Sequence, residues 1–117
     1  MKYLCLVYIN EQRLAALPRP ALDRLAADSA AYDSALQQRR CVLEARRLPS
    51  VQLATTVRPG GQSTNVPLIT DGPYADTFEQ LSGYMLIEAG DLDQAIRIAA
   101  QIPAGALGCV EIRPLGP

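Results

Sequence analysis

The chain is 117 residues long and 49% hydrophobic, and its eleven Lys and Arg against twelve Asp and Glu leave a net charge of −1. Such a length and apolar content predict one domain over residues 1–117 with one core. Basic residues adjoin only at Arg39-Arg40 and Arg46-Arg47, which argues against a nucleic-acid partner.

No histidine is present, which removes Ser-His and Cys-His catalysis, His-ligated metals and a His general base. Residues 1–9 form an apolar run of strand length rather than signal length, followed at once by Glu11 and Arg13 and without a small-residue cleavage pattern. No stretch reaches the ~20 apolar residues of a membrane helix, so a soluble, cytoplasmic protein without a membrane partner is expected. Cys5, Cys41 and Cys109 are odd in number, lie in or beside apolar runs and show no C-x-x-C pairing. They are expected as reduced core thiols. A nucleophilic thiolate would need a cation beside it, and the local candidates are Arg39 and Arg40 next to Cys41.

Within residues 2–9, Tyr3, Cys5, Val7 and Ile9 fall on one face and Leu4, Leu6 and Tyr8 on the other. Both faces are apolar, which predicts a strand covered on both sides. Residues 10–19 read as polar and then turn-like, and Pro20 suits the first turn of a helix. Over residues 21–39, Leu22, Leu25, Ser29, Tyr32 and Leu36 recur at three- and four-residue steps, with Asp23, Arg24, Asp28, Asp33, Gln37 and Gln38 largely elsewhere on the wheel. This pattern predicts an amphipathic helix laid on a sheet. Residues 41–48 predict a strand whose Glu44, Arg46 and Arg47 suit an exposed face or an edge. After Pro49 and Ser50, the β-branched stretch 51–57 predicts extended chain. Arg58-Pro59-Gly60-Gly61 reads as a hairpin tip and residues 66–69 as the return strand.

Residues 70–84, TDGPYADTFEQLSGY, join this hairpin to the most apolar strand candidate. Asp71 can bond the backbone just ahead of it, Gly72 permits positive φ and Pro73 fixes its own φ, so a tight turn is predicted. Asp71, Tyr74, Asp76, Thr77 and Glu79 gather acidic and hydroxyl groups around that turn. A binding rim has this composition, and so does a turn whose side chains satisfy their own backbone. Residues 76–80 predict one helical turn and residues 81–89 a central strand, with Glu88 its charged exception. Asp91 and Gln94 resemble a capping box opening a helix with the stripe Leu92, Ala95, Ile96, Ala99 and Ile102. The last strand, 108–114, alternates Val110 and Ile112 with Cys109, Glu111 and Arg113.

Two strand-helix-strand units with an inserted hairpin specify an α+β, ferredoxin-like fold with helices on one face of an antiparallel-rich sheet. Apolar positions on the other face have no segment left to cover them. A homodimer packed through the open sheet face is therefore expected.

Several of these stretches carry a family likeness. Asp71-Gly72-Pro73-Tyr74, Thr77, Glu79-Gln80-Leu81, Gly83-Tyr84, Leu86-Ile87-Glu88 and Asp91-Leu92-Asp93-Gln94-Ala95 resemble the signature of the DGPF group of YCII-related proteins. Residues 54–58, Ala-Thr-Thr-Val-Arg, and Val110-Glu111-Ile112-Arg113-Pro114 resemble that group too. The resemblance implies a dimeric α+β barrel of ferredoxin-like halves, generally bacterial, with no established common reaction. Tyr74 stands where the group's name has Phe. The His paired with an Asp in proposed sites of the wider YCII family has no counterpart here, which rules out an inherited His-Asp mechanism.

The candidate catalytic residues are Asp71, Glu111 and Arg113, with Tyr8, Tyr74, Thr77, Glu79, Tyr84 and Glu88 as candidate substrate-binding residues. A buried carboxylate either pairs with a cation or has a raised pKa, and the second case makes a general base near neutral pH. Glu111 and Arg113, two apart on one strand, share a face, and Glu88 meets them if the strands are neighbours. An ion pair that fixes register or a dimer seam would use the same residues. Tyr8, Tyr74 and Tyr84 either line a pocket or sit in a core with their hydroxyls at its edge. Asp71, Asp76 and Glu79 match no strong calcium or zinc motif, so neither metal nor other cofactor is expected. These features point to a homodimer that binds a small organic molecule in a cleft beside the Asp71 loop, with cofactor-free proton transfer or isomerisation as its chemistry. The alternative is a non-enzymatic ligand-sensing or protein-interaction module.

Overall fold

The computed structural model describes residues 1–60 and 65–117. Alternation along the first strand, β1 (Lys2–Ile9), sets the plan: Tyr3, Cys5, Val7 and Ile9 are buried in the core, while Leu4, Leu6 and Tyr8 are half-buried on the opposite side. β5 (Gln80–Glu88) and β6 (Gly108–Pro114) flank β1 in antiparallel register, and β2 (Val42–Arg47) joins outside β5, giving the order β2-β5-β1-β6. α2 (Arg19–Gln38) leads to β2 and α3 (Leu92–Ala100) leads to β6. The two strand-helix-strand units interleave as in the ferredoxin-like α+β fold, with β3 (Thr55–Arg58) and β4 (Leu68–Asp71) inserted as a separate hairpin. Gly61, which the sequence assigns to the hairpin tip, lies outside the described residues.

Both long helices are terminated by local chemistry. α3 starts at Asp91, whose carboxylate accepts the Gln94 amide at 2.9 Å, while the Gln94 side chain accepts the Gly90 amide at 2.6 Å. Two orphan donors are thus satisfied reciprocally. α2 has Pro18 at its cap and Pro20 in the first turn, where a missing N–H costs nothing. It ends where Arg40 turns left-handed at φ 57° and the Cys41 amide bonds back to the Leu36 carbonyl at 3.2 Å. Leu36, Cys5 and Ile87 are the largest fully buried side chains and lock the C-terminal end of α2 onto the sheet.

Several local expectations are corrected. Residues 11–15 form a short helix, α1 (Glu11–Ala15), because the Asn10 side chain caps the Arg13 amide at 3.0 Å. Val51–Leu53 is a 3-10 turn rather than extended chain, started by the Ser50 hydroxyl accepting from Gln52. Residues 76–79 are not helical. Thr77 Oγ1 donates to the Glu79 carbonyl and the Gln80 side chain donates to the Thr77 carbonyl, side-chain bonds that take the place of a helical turn. The return strand lies two residues later than expected and includes Asp71, paired with Thr55. In α3 the buried residues are Ala95, Ile98 and Ala99, while Leu92 and Ile96 face solvent. Cys5 and Cys41 are buried as expected, but Cys109 is exposed, because it stands opposite Tyr8 on the uncovered side of the sheet.

Candidate functional site

Two places gather chemistry, one on each side of the sheet. On the helix side, α2 buries Leu36 fully and packs Leu25 and Tyr32 only partly against the core. Farther back, the inward positions are Leu22, Leu25, Ser29 and Asp33, and Ser29 is too short to reach the strands. The facing residue of β5 is Gly83. A Cβ there would come 2.8 Å from the Arg46 carbonyl oxygen, so the close approach of β2 keeps that position bare. Short residues on both sides leave a cleft of about 280 Å³. Val7, Ile9, Leu22, Leu25, Met85 and Leu107 wall it, and Ser29, Asp33 and Arg47 bring polar groups to it. Burial pushes the Asp33 carboxyl above its ordinary value of 3.8, and Asp33 forms no salt bridge among the described residues. Asp33 is therefore a half-buried carboxyl at the edge of a mostly apolar cleft, free to accept a hydrogen bond from a donor in it, with Arg47 lining the same space.

On the other side, register brings side chains into rows. Arg46, Tyr84, Leu6 and Glu111 lie across the sheet in one row. Glu44, Leu86, Leu4 and Arg113 form the next. Arg113 Nε donates to Glu111 Oε2 at 2.9 Å, and the Tyr8 hydroxyl donates to Glu111 Oε1 at 3.2 Å. The Arg113 hydrogen bond holds the Glu111 carboxyl below its ordinary range, outweighing burial, with Tyr8 adding to the effect. Burial, then the Glu111 bond, raises the Tyr8 hydroxyl. Glu111 is thus a resident anion and Tyr8 a donor that keeps its proton. Tyr84 is raised by burial and by the Glu44 carboxylate at the other edge. Glu79 joins this side through Cys109, whose thiol donates to Glu79 Oε1 at 3.6 Å.

Of the candidate residues, Tyr8, Glu111 and Arg113 form one hydrogen-bonded chain, with Glu79 beyond Cys109 and Tyr84 along the same face. Tyr74 is exposed after the Asp-Gly-Pro turn, and Thr77 bonds only locally to the Glu79 carbonyl. Asp71 is exposed on the hairpin. Gly72 takes φ 98° and its amide bonds the Ala54 carbonyl at 2.6 Å, so the turn closes the hairpin base. Glu88 does not meet Glu111 or Arg113, because β1 separates their strands; it is exposed opposite Lys2, 3.6 Å from the N-terminal amine. The helix-side cleft did not emerge from sequence reasoning, although one signal was present. Ser29 interrupts the apolar stripe of α2, and Asp33 follows it one turn later on the same face.

A family model for the YCII-related domain matches residues 1–117. The chain belongs to the YCII-related family. It is 30% identical over 118 residues to an uncharacterized protein of Rhizobium meliloti (strain 1021), covering 98% of this chain and 92% of that relative. Among solved structures it is similar to 5-chloro-2-hydroxyhydroquinone dehydrochlorinase from Burkholderia phenoliruptrix AC1100 in complex with 2,5-dihydroxybenzoquinone, with TM-score 0.51, 12% identity, and coverage of 99% of this chain and 94% of that one. At that identity the likeness concerns the fold. This YCII-related chain has no histidine, and Asp33 is the carboxyl that burial raises above its ordinary value.

Proposed function

We propose that this YCII-related protein is a cytoplasmic homodimer of the DGPF type that binds a small organic molecule, and that the molecule sits in the cleft between α2 and the sheet. The observation that carries this reading is the cleft itself: about 280 Å³ of mostly apolar space lined by Arg47 and by Asp33, which forms no salt bridge among the described residues. Such a space suits a ring-sized apolar body carrying a hydroxyl or amino group directed at Asp33. The matching chemistry is cofactor-free proton transfer or isomerisation, with Asp33 taking a proton from an acidic C–H or O–H beside it. A ligand-sensing module would share the binding and lack the turnover. The fold neighbour's quinone ligand agrees with a ring-sized molecule only as an analogy of fold.

A second reading keeps the ligand on the open face near the segment after the Asp-Gly-Pro loop, and the Tyr8–Glu111–Arg113 chain of hydrogen bonds favours it. There Asp71, Tyr74, Thr77, Glu79, Tyr84 and Glu88 would be rim residues. A thermal-shift screen with phenols, hydroxylated carboxylic acids, lactones and small amines separates the two readings, since a ligand selective for the native state raises its melting temperature. The cleft reading expects a shift that Asp33→Asn and Ser29→Leu abolish and Glu111→Gln leaves intact. The reverse pattern would move the site to the open face.

A further inference from the structure

The two arginines that end β2 face opposite ways. Arg46 lies in a row of the open side, and its guanidinium is occupied by Glu44 at 3.6 Å. Arg47 stands opposite Gly83 in the antiparallel register, so its side chain belongs to the helix-facing side of the sheet. The row it begins continues through Gly83, Val7 and Val110, and the next row, from Ala45 to Ile112, is apolar throughout. A guanidinium is thus set at the end of an apolar sheet face, beside the one position in its row that carries no side chain. It lines the cleft, where it is exposed, and it forms no salt bridge among the described residues. Asp33 lines the same space from α2 and does not pair with it.

We infer that Arg47 holds the acid group of the cleft's ligand, which is a small ring carboxylate carrying a hydroxyl or amino group toward Ser29 and Asp33. This rests on the cleft reading proposed above and adds the substrate class to it. A guanidinium presents a planar fork that a carboxylate fills with two parallel hydrogen bonds. The opposite orientation would bring a carboxylate against Asp33, like charge against like. The two groups therefore set the direction of the ligand as well as its class. One cation and one carboxyl in a single space suit one negative charge rather than a phosphate dianion. A volume of about 280 Å³ lies at the low end of ligand pockets, which start at ~300 Å³, and this agrees with one ring. An inward charge on an edge strand also guards against strand addition. That role needs no empty space beside the charge, and no hydroxyl and carboxyl on the helix facing it.

The test is calorimetric titration of the full chain with 4-hydroxybenzoate, 3-hydroxybenzoate and 4-hydroxycyclohexanecarboxylate, each set against its neutral primary amide. Arg47 lies outside the core cluster, so its variants should keep the native circular dichroism spectrum. Wild type should bind at least one acid about tenfold more tightly than its amide. Arg47→Met should bring that acid down to the level of the amide, whereas Arg47→Lys, which keeps the charge without the fork, should retain part of the preference. Raising NaCl from about 50 to about 500 mM should weaken the acid and leave the amide unchanged. Acids and amides that bind wild type equally, or a preference that persists in Arg47→Met, would overturn the role of Arg47 and leave the cleft reading standing. Acid binding that survives Ser29→Leu would place the anion outside the cleft and refute the inference. Binding of neither set would overturn both readings.

Discussion

Filling the cleft should stabilise the empty protein while abolishing its binding. Ser29 faces the cleft from α2, and Ser29→Leu exchanges a hydroxyl for three carbons in a space of about 280 Å³. Each buried methylene contributes about 0.8 kcal/mol. Full burial would bring about 2.4 kcal/mol by that measure, and the open mouth of the cleft reduces it to roughly 1 kcal/mol. Leu is also the better helix former, by a few tenths of a kcal/mol. For a chain of this size about 1 kcal/mol corresponds to a rise of ~4 °C in melting temperature. Thermal melts monitored by circular dichroism give that number, and calorimetric titration with a ligand found for wild type gives the loss of binding. If the space were already closed, the added volume would force side chains and backbone apart at a cost of ~1–3 kcal/mol. A fall of several degrees would therefore refute the cleft.

Asp33 and Glu111 should have opposite pH signatures. The Asp33 pKa is raised in the folded state, so the stability tied to its protonated form is full below its ordinary value of 3.8 and is lost as pH rises through the raised one. Asp33→Asn should thus raise the melting temperature at pH 7 and have no effect near pH 3. Glu111 is lowered, so its contribution is present above the ordinary carboxylate range and lost as pH falls through the lowered value. Glu111→Gln should slightly lower the melting temperature at pH 7, less than a buried pair would, because both partners are largely solvated. Melts from pH 3 to 8 check both signs. Gly108→Ala should be severely destabilising, by ~3 kcal/mol or more, because its Cβ would meet the Tyr8 carbonyl oxygen at 2.1 Å; denaturant titration reads the loss. Thiol labelling of the native protein at pH 8 should modify Cys109 first, since Cys41 is buried and Cys5 is both buried and pushed up to about 11. Peptide mapping identifies the labelled residue.

The sheet was legible because its strands obey strict alternation. Tyr3, Cys5, Val7 and Ile9 against Leu4, Leu6 and Tyr8 gave the two faces of β1, and the shared face of Glu111 and Arg113 followed from their two-residue spacing. The capping pair of Asp91 and Gln94 was readable for the same local reason. What sequence left out depends on neighbours. Glu88 and Glu111 are one strand apart from meeting, and strand order is not written in either strand's own residues. Cys109 looked like a core thiol because it adjoins Val110, but period-two alternation puts neighbours on opposite faces. Asp33 looked like a solvated helix residue, and only the way α2 lies over the sheet brings it to the cleft. The gap is a joint property of Ser29 and Gly83, which are 54 positions apart in the chain.

The chain has two methionines. Met85 is 5% exposed and walls the cleft, whereas Met1 is 68% exposed. Protein carrying ¹³C-methyl methionine therefore offers one probe within the proposed site and one away from it. On titration with a ligand that raises the melting temperature, the cleft account expects the Met85 methyl resonance to shift saturably, with the same Kd as the thermal effect, and Met1 to stay still. Saturable binding that leaves Met85 unmoved would contradict it.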